Sequence, residues 1–147
     1  MSVSPRMPQG QGVDTQAPVE ARPRRTWPRK FGDAFRGLKR GIRGQSSFSV
    51  HLFFAALAIA AGIVLRCTLE QWGLLLLCIG LVFSAELFNS AIETLFRGLD
   101  EETRARAWPC LDIAAGAVLV ACIAAAIVGS LIFFGRIAEI CKLFLDT

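Results

Sequence analysis
Charged residues make up 19% of this 147-residue chain, short of the roughly one quarter usual in soluble domains. Histidine occurs once, so His51 has no second imidazole with which to form a metal site, and it reads as an interfacial residue. The five cysteines, Cys67, Cys78, Cys110, Cys122 and Cys141, contain no CxxC pair. They read as small packing residues in reduced or apolar surroundings. No GxxxxGK[ST] stretch occurs anywhere, which excludes a phosphate-binding P-loop. The first 30 residues contain no apolar run, so a secretory signal is not expected there.

What the chain has in excess is apolar residues, 54% in all, and they come in blocks. Residues 50–65, 72–96 and 113–135 are almost wholly apolar, whereas 1–47 is not. That pattern argues against a soluble globule and against a wholly disordered chain. It implies an all-α integral membrane protein, with an amphipathic N-terminal surface helix followed by three transmembrane helices. The net charge is +4, and ten of the sixteen Lys and Arg residues lie within the first 43 positions. Such a cluster binds either nucleic acid or anionic lipid. Here it abuts an apolar span and lacks an accompanying nucleic-acid fold, so the membrane is the expected partner and nucleic acid is not.

Residues 1–29 carry five of the six prolines and are expected to be disordered. A membrane domain is expected over 30–135, with a surface helix at 30–47 and spans at 50–66, 72–96 and 112–135. Residues 136–147 are left as a short amphipathic tail. In the surface helix, Phe31, Phe35, Leu38 and Ile42 recur at helical spacing, with Arg36, Lys39, Arg40 and Arg43 around them. The first span looks slightly short for a hydrocarbon core of about 30 Å. Trp72 and Trp108 read as interfacial residues, and the Ala/Gly-rich stretch Ala114–Ala117 as a helix-contact surface. The basic head sets the N-terminus in the cytoplasm, with 97–111 as a loop on that side.

The chemically informative segment is Glu86-Leu87-Phe88-Asn89-Ser90-Ala91-Ile92-Glu93. An ionisable group at membrane depth costs about 2.5–3.5 kcal/mol by insertion scales. Two glutamates there need compensation. Offsets of three and seven residues bring Asn89 and Glu93 back to the helix face of Glu86. Counted from Trp72, Glu86 lies about 21 Å and Glu93 about 31 Å along the helix, toward the cytoplasmic side. Asp112 is expected to open the third helix on that side, either as a cap or as a functional acid. Three carboxylates and a carboxamide make an all-oxygen donor set, of the kind that holds magnesium together with substrate phosphates. The competing structural reading pairs the acids with Arg97, Arg104 or Arg106 to hold helices together.

This segment resembles the signature of the prokaryotic diacylglycerol kinase family, which includes undecaprenol kinases. Glu86, Asn89, Ser90, Ala91 and Glu93 match its Glu-x-x-Asn-Ser/Thr-Ala-x-Glu pattern. Asp112 to Leu119 resembles the Asp-led start of its third helix, and Ala34 to Lys39, with Phe48 and His51, its surface-helix region. The resemblance spans about residues 31–135. It implies a homotrimer in the bacterial inner membrane, multi-pass, with active sites at the cytosolic interface between protomers. It also implies transfer of the ATP γ-phosphoryl group to a lipid hydroxyl, diacylglycerol or undecaprenol. By family role, Glu86 would be the general base and Asn89 would orient the catalytic groups. Glu93, Gln45 and Glu86 would hold magnesium. Asp112, Ser90 and Arg97 would lie on the nucleotide side.

At four positions the chain departs from the family pattern. Gln45 stands where a metal-binding glutamate is expected, Ser49 for an arginine, Arg97 for an aspartate and Leu111 for a lysine. These departures keep open a second reading, a catalytically impaired relative acting as a membrane binding or scaffold protein. A third reading, a cation relay through Glu86 and Glu93, lacks a polar path to the outer face.

Overall fold
The computed structural model describes residues 26–43 and 46–146. Expectations for residues 1–25 and for Gln45 lie outside the described residues. The rest forms four helices: α1 (Trp27–Arg43), α2 (Ser46–Val64), α3 (Leu69–Arg97) and α4 (Glu101–Leu145). The last three are long and apolar enough to cross a membrane.

Helix boundaries differ from the sequence expectation because capping groups, rather than hydropathy, set them. Helix α2 starts at Ser46, and its 19 residues span about 28 Å, close to the hydrocarbon thickness. Helix α3 starts at Leu69, ahead of Trp72, because Thr68 and Gln71 form a reciprocal capping box. The Thr68 N–H donates to Gln71 Oε1 at 2.9 Å, and the Gln71 N–H donates to Thr68 Oγ1 at 3.4 Å.

The connection between α3 and α4 is only Gly98–Asp100, where a loop over 97–111 was expected. Asp100 caps α4 by accepting from the Thr103 N–H at 3.0 Å, and Glu101 and Glu102 follow in the first turn. Hydrogen bonds from the Thr103 backbone and side chain hold the Asp100 carboxyl below its usual 3.8. The cap is therefore complete above that value and weakens as pH falls through the lowered one. Helix α4 then runs unbroken for 45 residues, about 68 Å, through Pro109 and through the segment read as a tail. Asp112 consequently sits about three turns inside α4 rather than at its start.

Helix α2 ends in a Schellman motif. The Cys67 N–H donates to the Gly62 carbonyl at 3.0 Å and the Arg66 N–H to Ile63 at 3.2 Å. Arg66 occupies the left-handed region that the motif requires, with φ 53°. Arg136 of α4 clamps this turn: its Nε donates to the Leu65 carbonyl at 3.1 Å and its Nη2 to the Arg66 carbonyl at 2.9 Å. Arg66→Gly should relieve the left-handed cost and raise stability by about 0.5–1 kcal/mol. Thermal unfolding in detergent checks this, and a lowered midpoint would contradict it.

Packing places α3 at the centre. Its buried residues Leu75, Val82, Glu86, Asn89 and Ser90 recur at helical spacing. Helix α4 meets them with Ala114, Ala121 and Gly129, small residues that allow close helix approach, and with Ile132. Helix α2 contributes Phe48, whose ring lies 5.2 Å from that of Phe83, and Ala55. At Gly62 a Cβ would stand 3.0 Å from the Trp72 ring, so Trp72 packs against α2. Helix α1 meets α3 at Gly41, beside the Leu87 side chain. Its Trp27, Phe31, Phe35, Leu38 and Ile42 are exposed.

Candidate functional site
The site is built on the inner face of α3, in the segment that the helical spacing singled out. Glu86 is the most deeply buried charged residue described, at 2% exposure, with Asn89 and Ser90 buried beside it. An unpaired charge in that position would cost several kcal/mol. Helix α2 supplies the compensation. The Ser47 hydroxyl donates to Glu86 Oε1, and His51 Nε2 lies 3.7 Å from Glu86 Oε2. The other imidazole nitrogen, Nδ1, lies 3.8 Å from Cys122 Sγ on α4. A hydroxyl and an imidazole from α2 thus meet the carboxylate, and a thiol from α4 backs the imidazole.

One turn further on, a second group of side chains forms along α3. Asn89 Nδ2 donates to Glu93 Oε1 at 2.9 Å. Arg97 Nη1 lies 3.7 Å from Glu93 Oε2, and its Nη2 donates to Thr94 Oγ1 at 3.1 Å. Thr94 in turn donates to the Ser90 carbonyl at 2.8 Å. Ser90 Oγ is buried and has no hydrogen-bond partner among the described residues. A buried hydroxyl of this kind is usually satisfied by water, an ion or a ligand.

The predicted residues therefore fall into groups. Glu86, Asn89, Ser90, Glu93 and Arg97 share one stretch of α3. Asp112 lies on α4 at about the level of Glu86, since both are equally far from Leu99 in the hairpin, but its side chain is exposed. Ser49 is exposed, and Leu111 is half-buried. The observed contacts of Arg97, Arg104 and Arg106 stay within a helix or reach backbone carbonyls. Arg97 pairs with Glu93 within α3, Arg106 with Glu102 within α4, and Arg104 donates to the carbonyls of Arg97 and Leu99 at the end of α3.

Among the described residues, no group of three or more His, Cys, Asp and Glu side chains could hold a metal ion. The chemistry of the donors nevertheless fits magnesium. Glu86, Asn89, Ser90 and Glu93 offer oxygen only, and magnesium is commonly held by one or two carboxylates plus substrate phosphates. Glu93 is about one-third exposed and so within reach of such a group.

Sequence reasoning missed Ser47 and Cys122 and set His51 aside as interfacial. The signal was available in part. Ser47 and His51 are four residues apart, on one face of a helix otherwise apolar from Val50 onward.

An apolar three-span bundle with a buried, hydrogen-bonded carboxylate on its central helix defines the class: an integral membrane protein with an inward-facing acid. Residues 32–133 match the prokaryotic diacylglycerol kinase family, and the chain belongs to that family. The undecaprenol kinase of Bacillus subtilis (strain 168) is 31% identical over 109 residues, covering 74% of this chain and 89% of that protein. No solved structure matches. Family membership makes the protein a membrane-located lipid kinase, with ATP as the implied co-substrate.

Proposed function
We propose that this kinase transfers the γ-phosphoryl group of ATP to the hydroxyl of a long-chain lipid alcohol, with undecaprenol favoured over diacylglycerol by the Bacillus relative. The observation that carries the reading is Glu86, fully buried within the family-matched segment and held by Ser47 and His51. Glu86 accepts the proton of the lipid hydroxyl at Oε2. The freed oxygen attacks the γ-phosphorus, the bond to the bridging oxygen breaks, and ADP leaves. Asn89 holds Glu93 in place through its 2.9 Å hydrogen bond. Ser90 Oγ, without a partner among the described residues, donates to the nucleotide, with Arg97 and Asp112 assigned to the same side.

Glu93 would hold magnesium, together with Gln45 and the edge of Glu86. A magnesium ion held there would supply the positive charge that neutralises the transferred phosphate. Positioning and charge neutralisation are most of what phosphoryl transfer needs, and that is what this residue set offers. The same proposal seats the basic helix α1 on the cytoplasmic leaflet of a bacterial inner membrane, with its exposed apolar face in the lipid. Assembly as a homotrimer would cover part of the apolar surface that a single chain leaves exposed.

Purified protein in mixed micelles, given labelled ATP, magnesium and a panel of lipid alcohols, is expected to label undecaprenol most strongly. The rival reading, a binding relative without turnover, rests on Gln45 and Leu111. It predicts nucleotide binding with no labelled lipid, a result that would displace the kinase mechanism.

A further inference from the structure
Helix α1 differs from the other three in how little it touches. It meets α3 at Gly41, where an added Cβ would stand 2.6 Å from Leu87 Cδ2. Elsewhere most of its described side chains are exposed: Trp27 by 72%, Phe31 by 63% and Phe35 by 71%. At about 100° per residue these three fall with Leu38 and Ile42 into one stripe along the helix. Arg29, Arg36, Lys39 and Arg40 occupy the opposite half. Lys30 lies at the edge, its ammonium 4.5 Å from the Trp27 ring. The single acid of the helix, Asp33, pairs with Arg36.

Charge and stripe together select an occupant. The same helix of a second copy would set cations against cations. A nucleic acid would satisfy the basic half and leave Phe31, Leu38 and Ile42 in water. An anionic bilayer takes both, with headgroup phosphates on the cations and the stripe at the acyl boundary.

The place where α1 meets the bundle gives its seating a consequence. Leu87 directly follows the buried Glu86 on α3. Helix α1 ends at Arg43 and α2 begins at Ser46, one residue before the hydroxyl that donates to Glu86 Oε1. Helix α1 thus reaches the surroundings of this acid twice, through Gly41 and through the chain. We propose that α1 senses the charge of the leaflet: anionic lipid seats it, and the seating sets the geometry of Glu86 through Leu87 and Ser47. The inference rests on the lipid-kinase reading and adds its regulation, a reaction that quickens with the anionic content of the bilayer. Each cation near such a surface strengthens the attraction about fivefold.

The test places the full-length protein in nanodiscs of phosphatidylcholine, alone or with phosphatidylglycerol, with undecaprenol as acceptor. Phosphatidylglycerol is expected to raise the rate about tenfold, and added salt should shrink the gain by screening. Arg36→Gln, Lys39→Gln and Arg40→Gln together should abolish the gain and leave the rate in neutral discs unchanged. An equal gain in this variant would overturn the proposal, because the lipid would then act by gathering magnesium or substrate. Gly41→Leu, too large for Leu87 to clear, should slow the reaction in both bilayers, and adding Leu87→Ala should restore part of the rate. Labelling of Glu86 by dicyclohexylcarbodiimide, mapped by mass spectrometry, reads the site without turnover. It is expected to slow severalfold with phosphatidylglycerol in the wild type and not in the triple variant. Labelling indifferent to lipid charge would overturn the proposal. Charge-dependent labelling in a protein that phosphorylates no lipid would support the coupling and defeat the kinase mechanism instead.

Discussion

Glu86→Gln is expected to reduce lipid phosphorylation by about two to four orders of magnitude, the usual contribution of a positioned general base. The substitution is close to isosteric. Its amide oxygen can still accept from Ser47, so the packing around Phe48 and Val82 should survive. Helical content and thermal midpoint in detergent should therefore stay near wild type while turnover collapses. The two measurements have to be made together. A fall in both would mean that Glu86 serves the fold, through its contacts to α2, rather than the reaction. Activity retained to within about tenfold would remove Glu86 from the role of base.

Glu93→Gln has the second-largest expected effect, and it should show in the metal dependence. The half-buried carboxylate is the most accessible acid of the α3 group, and Arg97 already balances part of its charge. An exposed pair spaced i,i+4 contributes only about 0.3–0.5 kcal/mol to stability. The fold should thus barely register the substitution. If Glu93 is a magnesium ligand, the magnesium concentration for half-maximal activity should rise by about tenfold to a hundredfold. Saturating magnesium should then recover part of the rate. An unchanged magnesium titration, with the loss confined to maximal rate, would place Glu93 outside the metal shell.

Much of the architecture was legible in residue order because the bilayer imposes simple rules. An uninterrupted apolar block of span length forms a helix, since no other local structure satisfies its backbone in lipid. That rule picked out the positions of α2, α3 and the middle of α4. The rule is silent about ends, and there the expectation erred. The capping box of Thr68 and Gln71 started α3 early, and the Asp100 cap extended α4 back over a segment read as loop. Pro109 did not end that helix, although an interior proline removes one donor and costs about 3 kcal/mol. Asp112 was misplaced for the same reason: its role as a helix opener depended on a boundary that lies at Asp100.

The signature acids illustrate the division most clearly. Helical periodicity alone put Glu86, Asn89 and Glu93 on one face of one helix, because 3.6 residues per turn leaves no freedom in that matter. Residue order also carried the family resemblance through the same stretch. Which partners compensate the buried charge is a question of distance between helices, and periodicity contains no such distance. Only the packing of α2 and α4 against α3 brought Ser47 and His51 to Glu86 and Cys122 to the far side of that imidazole. The same packing left an apolar cleft between α2, α3 and α4, lined in part by alanines of α2 and α4. Local spacing ordained the face of the helix, and the contacts between helices decided what that face meets.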